Sequence, residues 1–203
     1  VAVPMFIFMG TMLERSGVAK DLLHTLQIVT RRIPGGLAMS VTLMGTIMAA
    51  TTGIVGASVV MLTMIALPSM MERGYSKELA VGTIASAGTL GILIPPSIML
   101  VIMGDLLSVS VGALFAASIL PGMLLAGLYL LYIGITSYRN PDRAPPLPDD
   151  IGPSSNAELM LLVIKSFFPP VLLITLVLGS IFGGFATPTE AAGVGCLGAI
   201  FLA

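Results

Sequence analysis

The sequence predicts an all-α integral membrane fold: a multi-span helical bundle with one re-entrant helical hairpin and one broken helix. Three observations carry this. Of 203 residues, 56% are apolar and only 9% charged, against about 25% charged in a soluble domain, and the mean hydropathy is +1.05. So few charges cannot coat a 21 kDa globule, and a disordered or nucleic-acid-binding chain needs more charge and less Leu, Ile and Val. Second, charge-free stretches approaching the roughly 20 apolar residues of a spanning helix recur along the chain. Third, 23 Gly and 14 Pro exceed average usage, and membrane helices tolerate both better than soluble ones do. Bent or interrupted helices are the consequence.

Taken in order, Val1 to Leu13 reads as the tail of a span. The chain opens inside one apolar run and closes inside another, as a piece of a longer membrane protein would. Glu14 to Gly36 reads as a polar connector in which His24 is an ordinary loop residue. Leu37 to Met71 then runs without a charge for 35 residues. One continuous helix of that length measures about 52 Å, against a hydrocarbon core of about 30 Å, so it must fold back or break. The break is visible at Thr51-Thr52-Gly53-Ile54-Val55-Gly56, where β-branched residues and two glycines lower helix propensity. Arms of about 15 residues reach only about 22 Å, too short to cross. A hairpin that enters and leaves by one face fits.

Leu79 to Gly104 is the broken helix. Within GTLGILIPPSIMLVIMGD (Gly88 to Asp105), Pro95 and Pro96 remove two backbone donors, and Gly88 and Gly91 loosen the turns before them. Val111 to Ile135 reads as a plain span. Tyr138 to Asn156 is the only long hydrophilic stretch, with Pro141, Pro145, Pro146, Pro148 and Pro153, and reads as an extended cytoplasmic connector. Leu161 to Phe185 crosses again, with Lys165 near its start, and a last span begins near Ala191.

The basic residues orient these elements, because Lys and Arg accumulate in cytoplasmic loops. Arg15, Lys20, Arg31 and Arg32 precede the hairpin, Arg73 and Lys77 follow it, and Arg139 and Arg143 lie in the long connector. A hairpin puts all of them on one side. A plain span at Leu37 to Met71 would split them. The loops near Asp105 and at Ala186 to Glu190 carry no Lys or Arg and fall on the other side.

Freed carbonyls at membrane depth are tolerated only where they face protein, water or a bound ion. Two interrupted elements in one chain therefore point to a midplane site of the kind found in secondary transporters. The hydroxyls of Thr51, Thr52, Ser58, Thr89 and Ser97 are hard oxygen ligands suited to Na⁺. Gly53, Gly56, Gly88, Gly91 and Pro95 shape the backbone around them. The competing reading is that proline kinks and small residues serve packing alone. Asp105, within a turn of the outer surface, reads as a solvated cap, and Glu190 in Thr187-Pro188-Thr189-Glu190 as a helix-start cap. Lys165 and Glu158 snorkel at the interface.

Enzyme chemistry is disfavoured. The spans hold no nucleophile with its base, no metal set and no carboxylate pair, and no Gly-rich phosphate loop with Lys occurs. One cysteine, Cys196, excludes an internal disulfide, and a net charge of −1 predicts no nucleic acid. No cofactor is expected.

GTLGILIPPSIMLVIMGD, SVGALFAASILPG (Ser110 to Gly122) and FATPTEAAGVG (Phe185 to Gly195) resemble the large membrane subunit of tripartite ATP-independent periplasmic (TRAP) transporters. The similarity extends to VPMFIFMGTMLERSG at the start and ALPSMMERGYSKELA (Ala66 to Ala80). It implies about the first half of such a subunit, one half of an inverted-repeat elevator transporter. It also implies a multi-pass location in a bacterial or archaeal cytoplasmic (inner) membrane. Na⁺ is the implied coupling ion, and the substrate an organic acid such as a C4-dicarboxylate. The implied partners are a periplasmic solute-binding protein that delivers it and a small four-helix membrane subunit. Residues 1–36 would be scaffold span and connector, 37–135 transport-domain elements (hairpin 37–71, broken helix 79–104, span 111–135), 136–157 a cytoplasmic loop and 158–203 scaffold spans. Many relatives carry Ser-Gly-Ser at the hairpin tip where this chain has Thr51-Thr52-Gly53 and Gly56-Ala57-Ser58, which shifts weight from side chains to backbone carbonyls as ligands. A carrier that works without a binding protein, or a non-transporting structural subunit, are the alternatives.

Overall fold

A computed structural model describes residues 2–146 and 156–202, and only the backbone of Ala49, Thr52 and Asn156. Among the described residues there are nine α-helices and no strand: α1 (Ala2–Arg15), α2 (Val18–Thr30), α3 (Gly36–Thr52), α4 (Val55–Glu72), α5 (Lys77–Thr89), α6 (Ile98–Leu107), α7 (Val111–Arg139), α8 (Asn156–Phe182) and α9 (Pro188–Leu202). Three of them, α4, α7 and α8, are long and apolar enough to cross a membrane. The outward faces of α7 and α8 are apolar, with Leu120, Leu124 and Leu131 on one and Leu161, Ile164 and Phe168 on the other all exposed. Patches that large belong against lipid or another protein, not water. This is a membrane protein.

The uncharged run Leu37 to Met71 folds as the expected hairpin, α3 and α4. Its arms of 17 and 18 residues reach about 25 to 27 Å, longer than the sequence suggested, and α4 is long enough to span, so the hairpin rests on where its ends lie and not on arm length. Both ends return to the same end of the bundle. There the Leu37 N–H donates to the Tyr75 hydroxyl across 3.2 Å, joining the start of α3 to the turn after α4. The same turn and the α3 start are also tied to the residues after α7: Gly35 N–H donates to Ala144 O and Ser76 N–H to Arg143 O, each at 3.0 Å. The loops that carry the basic residues are thus held together by backbone hydrogen bonds.

The connector expected over Glu14 to Gly36 is instead mostly the helix α2. Apolar residues at 18, 19, 22, 23 and 26 recur at helical spacing, and Val18, Ala19, Leu22, Leu23 and Leu26 are buried. At 13 residues it escapes a search for spans, yet its apolar stripe is enough to hold it across α3 and α8. Thr25 and Ser166 share a buried 2.7 Å hydrogen bond, and Thr30 Oγ1 lies 2.8 Å from Ser40 Oγ. His24 is on the exposed face of this helix rather than in a loop.

The broken helix is also as expected, α5 and α6 being separated by a 3₁₀ turn (Leu90–Ile92) and a bent segment that ends at the extended Ser97. α5 lies close against the hairpin through small residues. A β-carbon on Gly45 would stand 2.8 Å from Ala87 Cβ, and one on Gly88 would overlap Val59, so backbones approach where larger side chains would separate them. The long polar connector starts later than expected, since α7 continues to Arg139. Pro148 and Pro153 lie outside the described residues.

Candidate functional site

The hairpin tip consists of two residues. Gly53 has φ +60°, the left-handed region that costs an L side chain about 1–2 kcal/mol, and Ile54 is extended. That pair reverses the chain between α3 and α4. The tip docks on the break of the other element: a β-carbon on Gly53 would lie 3.0 Å from Ile98 N and 3.5 Å from Pro96 O. Gly53 is therefore required twice, for its backbone angle and for its lack of a side chain. The two interruptions read separately from the sequence form one junction.

α7 closes it from behind. Ala50 of α3, Leu90 and Ile94 of the break and Ala126 of α7 form one buried apolar cluster, with Ile174 of α8 packed against it. A β-carbon on Gly122 would come within 3.0 Å of Ile94. The junction is thus held between the hairpin, α7 and α8.

Three of the proposed hydroxyls are buried here, Thr51, Ser58 and Ser97. Each turns its proton back on its own chain: Thr51 donates to Met48 O at 2.8 Å, Ser58 to Ile54 O at 2.9 Å and Ser97 to Ile92 O at 2.8 Å. For Thr51 and Ser97, donating to a carbonyl leaves the oxygen lone pairs able to face a cation. Ser97 occupies the N-cap position of α6 without capping it, so the first N–H groups of α6 receive nothing from that side chain. Gly91 and Pro95 are buried in the break, and Gly88 is buried where α5 meets α4. Two residues are not brought into the buried junction. Thr89 is exposed, its hydroxyl donating to Ser86 O at 2.7 Å, and Gly56 is exposed on a groove along α4. The side chain of Thr52 lies outside what is described.

The charged candidates take the modest places expected of them. Asp105 is exposed at the end of α6, and Lys165 and Glu158 are exposed at the start of α8. Glu190 completes a capping box with Thr187: its carboxylate accepts from the Thr187 N–H and hydroxyl, each at 2.8 Å, while Glu190 N–H faces Thr187 Oγ1 at 3.4 Å. Those bonds, the backbone one first, hold the Glu190 carboxyl below its ordinary range.

Tyr75 is a residue that sequence reasoning passed over. It is buried at the charged end of the bundle, where burial pushes its phenol up against the opposing effect of backbone hydrogen bonds from Leu37 and Ala38. Its only sequence signal is an aromatic inside an otherwise polar turn.

The family described as "Tripartite ATP-independent periplasmic transporter, DctM component" matches residues 1–203. The chain is 37% identical over its whole length to the C4-dicarboxylate TRAP transporter large permease protein DctM of Vibrio cholerae, covering 43% of that protein. It is 34% identical, again over its whole length, to the ectoine/5-hydroxyectoine TRAP transporter large permease protein UehC of Ruegeria pomeroyi, covering 46% of it. Against the isethionate TRAP transporter permease protein DctMQ of Oleidesulfovibrio alaskensis the identity is 35% over 95% of this chain and 29% of the relative. The chain spans less than half the length of these curated relatives, and each is named a permease of a transporter. A match over all 203 residues leaves one conclusion: the chain belongs to the DctM component family of tripartite ATP-independent periplasmic transporters.

Proposed function

We propose that this chain supplies one half of the ion and substrate site in the large membrane subunit of a Na⁺-driven importer of organic acids. The observation that carries the proposal is the docking of the hairpin tip at Gly53 on Pro96 and Ile98. Four helix ends converge there. α3 and α5 point their C-termini toward the junction, and α4 and α6 their N-termini. A helix C-terminus carries about half a negative charge and an N-terminus about half a positive one. The junction therefore suits a cation and an anion side by side, without any ionised side chain.

Na⁺ takes carbonyl oxygens near the ends of α3 and α5 together with Thr51, Ser58 or Ser97 in this reading. The carboxylate of the substrate is held by the N–H groups opening α4 and α6. The relatives named above are called transporters of C4-dicarboxylates, ectoines and isethionate, and a C4-dicarboxylate is the substrate we assign first. In this reading residues 37–135 move as one body against scaffold helices 1–36 and 158–203, in an elevator motion. A periplasmic binding protein delivers the substrate, a small four-helix subunit completes the complex, and the assembly resides in a cytoplasmic membrane. No cofactor takes part.

The test is uptake by the complete complex in proteoliposomes. Uptake should require an inward Na⁺ gradient and the binding protein. Ser97→Ala, which removes one oxygen, should raise the Na⁺ concentration for half-maximal uptake about tenfold, roughly the cost of one ligand to a charge. Gly53→Leu should do at least as much. Unchanged uptake without Na⁺ rejects the coupling, and unchanged Na⁺ dependence in both variants places the ion elsewhere.

A further inference from the structure

Away from the junction, a half-open cleft of about 220 Å³ lies between α3, α5 and α7 at the charged end of the bundle. We propose that it holds the headgroup of a zwitterionic phospholipid, a phosphate with an ammonium group beyond it, of the phosphatidylethanolamine kind.

The first observation is a polar group with nothing to bond. Thr83 is 5% exposed, lines the cleft, and its Oγ1 is buried with no hydrogen-bond partner. Leaving such a hydroxyl unpaired costs its desolvation, which an acceptor in the cleft would recover. Thr42, also buried and lining the cleft, donates to Ala38 O at 3.1 Å and keeps its lone pairs free to accept. One wall thus offers a donor and an acceptor at depth.

The second observation is the charge at the rim. Among the cleft residues only Glu78 and Arg143 are charged, one of each sign. The Arg143 backbone is fixed there by Ser76 N–H at 3.0 Å, two residues before Glu78. Arg143 and the Ser76 hydroxyl suit a phosphate. Glu78 suits an ammonium, and Tyr129 and Tyr132 offer it aromatic faces. A purely anionic headgroup would meet Glu78 unfavourably, and a purely cationic one Arg143.

The third is the way out. The helices that wall the cleft, α5 and α7, also carry exposed apolar residues on their outer faces, Val81, Leu128, Leu131 and Ile135. An acyl chain leaving the cleft would lie along them. The ester carbonyls come between head and chain, at the level where Thr83 lacks an acceptor. The proposal rests on the membrane location but not on the transport cycle, and its readout is lipid retention.

Gly82 supplies the test. It lines the cleft, and a β-carbon built on it meets nothing within 4 Å, so Gly82→Phe starts from open space and puts bulk at the cleft wall. The full-length protein, purified from its membrane and delipidated, is titrated with phosphatidylethanolamine, phosphatidylglycerol or free O-phosphoethanolamine, and bound lipid is read by native mass spectrometry. Phosphatidylethanolamine should bind about tenfold more tightly than phosphatidylglycerol, the scale of one charge-assisted bond. Gly82→Phe should abolish this binding with an unchanged melting temperature in lipid-free detergent, and Glu78→Gln should erase the preference. Equal binding of the two lipids, or phosphatidylethanolamine still held by Gly82→Phe, overturns the proposal. Binding of O-phosphoethanolamine as tight as the lipid assigns the cleft to a soluble zwitterion and overturns the lipid reading. A Ser86→Cys variant whose photocrosslinker captures a peptide of the complex instead of lipid shows the cleft covered by protein, which also overturns it.

Discussion

Gly53 and Glu190 are single residues whose local chemistry has consequences that can be measured separately. At Gly53 the backbone angle and the approach of Ile98 N both exclude a side chain, which is why its replacement belongs with the ion-site test. Glu190 acts through charge. Its carboxylate is held below the ordinary carboxyl range by donors from Thr187, so the folded state binds its proton less readily than the unfolded chain. The capping box therefore contributes fully above the ordinary glutamate value of about 4.3 and is lost as pH falls through the lowered folded value. Glu190→Gln should melt below the wild type at about pH 7, and the gap should close as pH falls through the lowered folded value. A gap that does not change with pH would mean that the carboxylate's charge plays no part.

At the scale of elements, small residues decide which helices touch. α5 meets the hairpin at Gly45 opposite Ala87 and at Gly88 opposite Val59. Gly88→Leu should push α5 off α4 and lower stability by about 1–3 kcal/mol, the usual cost of overpacking. Gly127→Leu on α7, where an added β-carbon meets nothing, is the control. The comparison is made by thermal melting in one detergent, and equal melting of the two variants would show that the α4–α5 contact is loose. The prolines make the same point about context. Pro95 and Pro96 stand in a break, whereas α8 runs on through Pro169 and Pro170. Both pairs remove two backbone donors. The first pair follows Gly88 and Gly91 and lies against the hairpin tip, so the disruption is completed by its neighbours. α2 is the converse case, a polar-looking stretch whose apolar stripe becomes a helix once α3 and α8 are there to cover it.

At the scale of the whole molecule, the ends of the bundle separate the charges. The start of α3, the turn at Tyr75–Ser76 and the residues after α7 are hydrogen-bonded together at one end. Ser108 and Phe185 mark loops at the other, and both are exposed. In vesicles containing the full-length protein with Cys196 replaced, Glu72→Cys and Arg139→Cys should be labelled from one face, and Ser108→Cys and Phe185→Cys from the opposite one. Labelling of Glu72→Cys and Arg32→Cys from opposite faces would turn the hairpin into a span. The span-like elements, the hairpin, the broken helix and a consistent charge distribution were all legible in the sequence. They follow from counting apolar residues against a fixed bilayer thickness, and that thickness acts on each segment alone. Glu190 was legible for the same reason, because a cap needs only four consecutive residues. The meeting of Gly53 with Pro96 and Ile98, the choice of Thr51, Ser58 and Ser97 over Thr89 and Gly56 as buried groups, the helix α2 and the unpaired hydroxyl of Thr83 were decided by the tertiary structure alone. Each depends on which surface of one element faces another, and no local propensity or hydropathy carries that information.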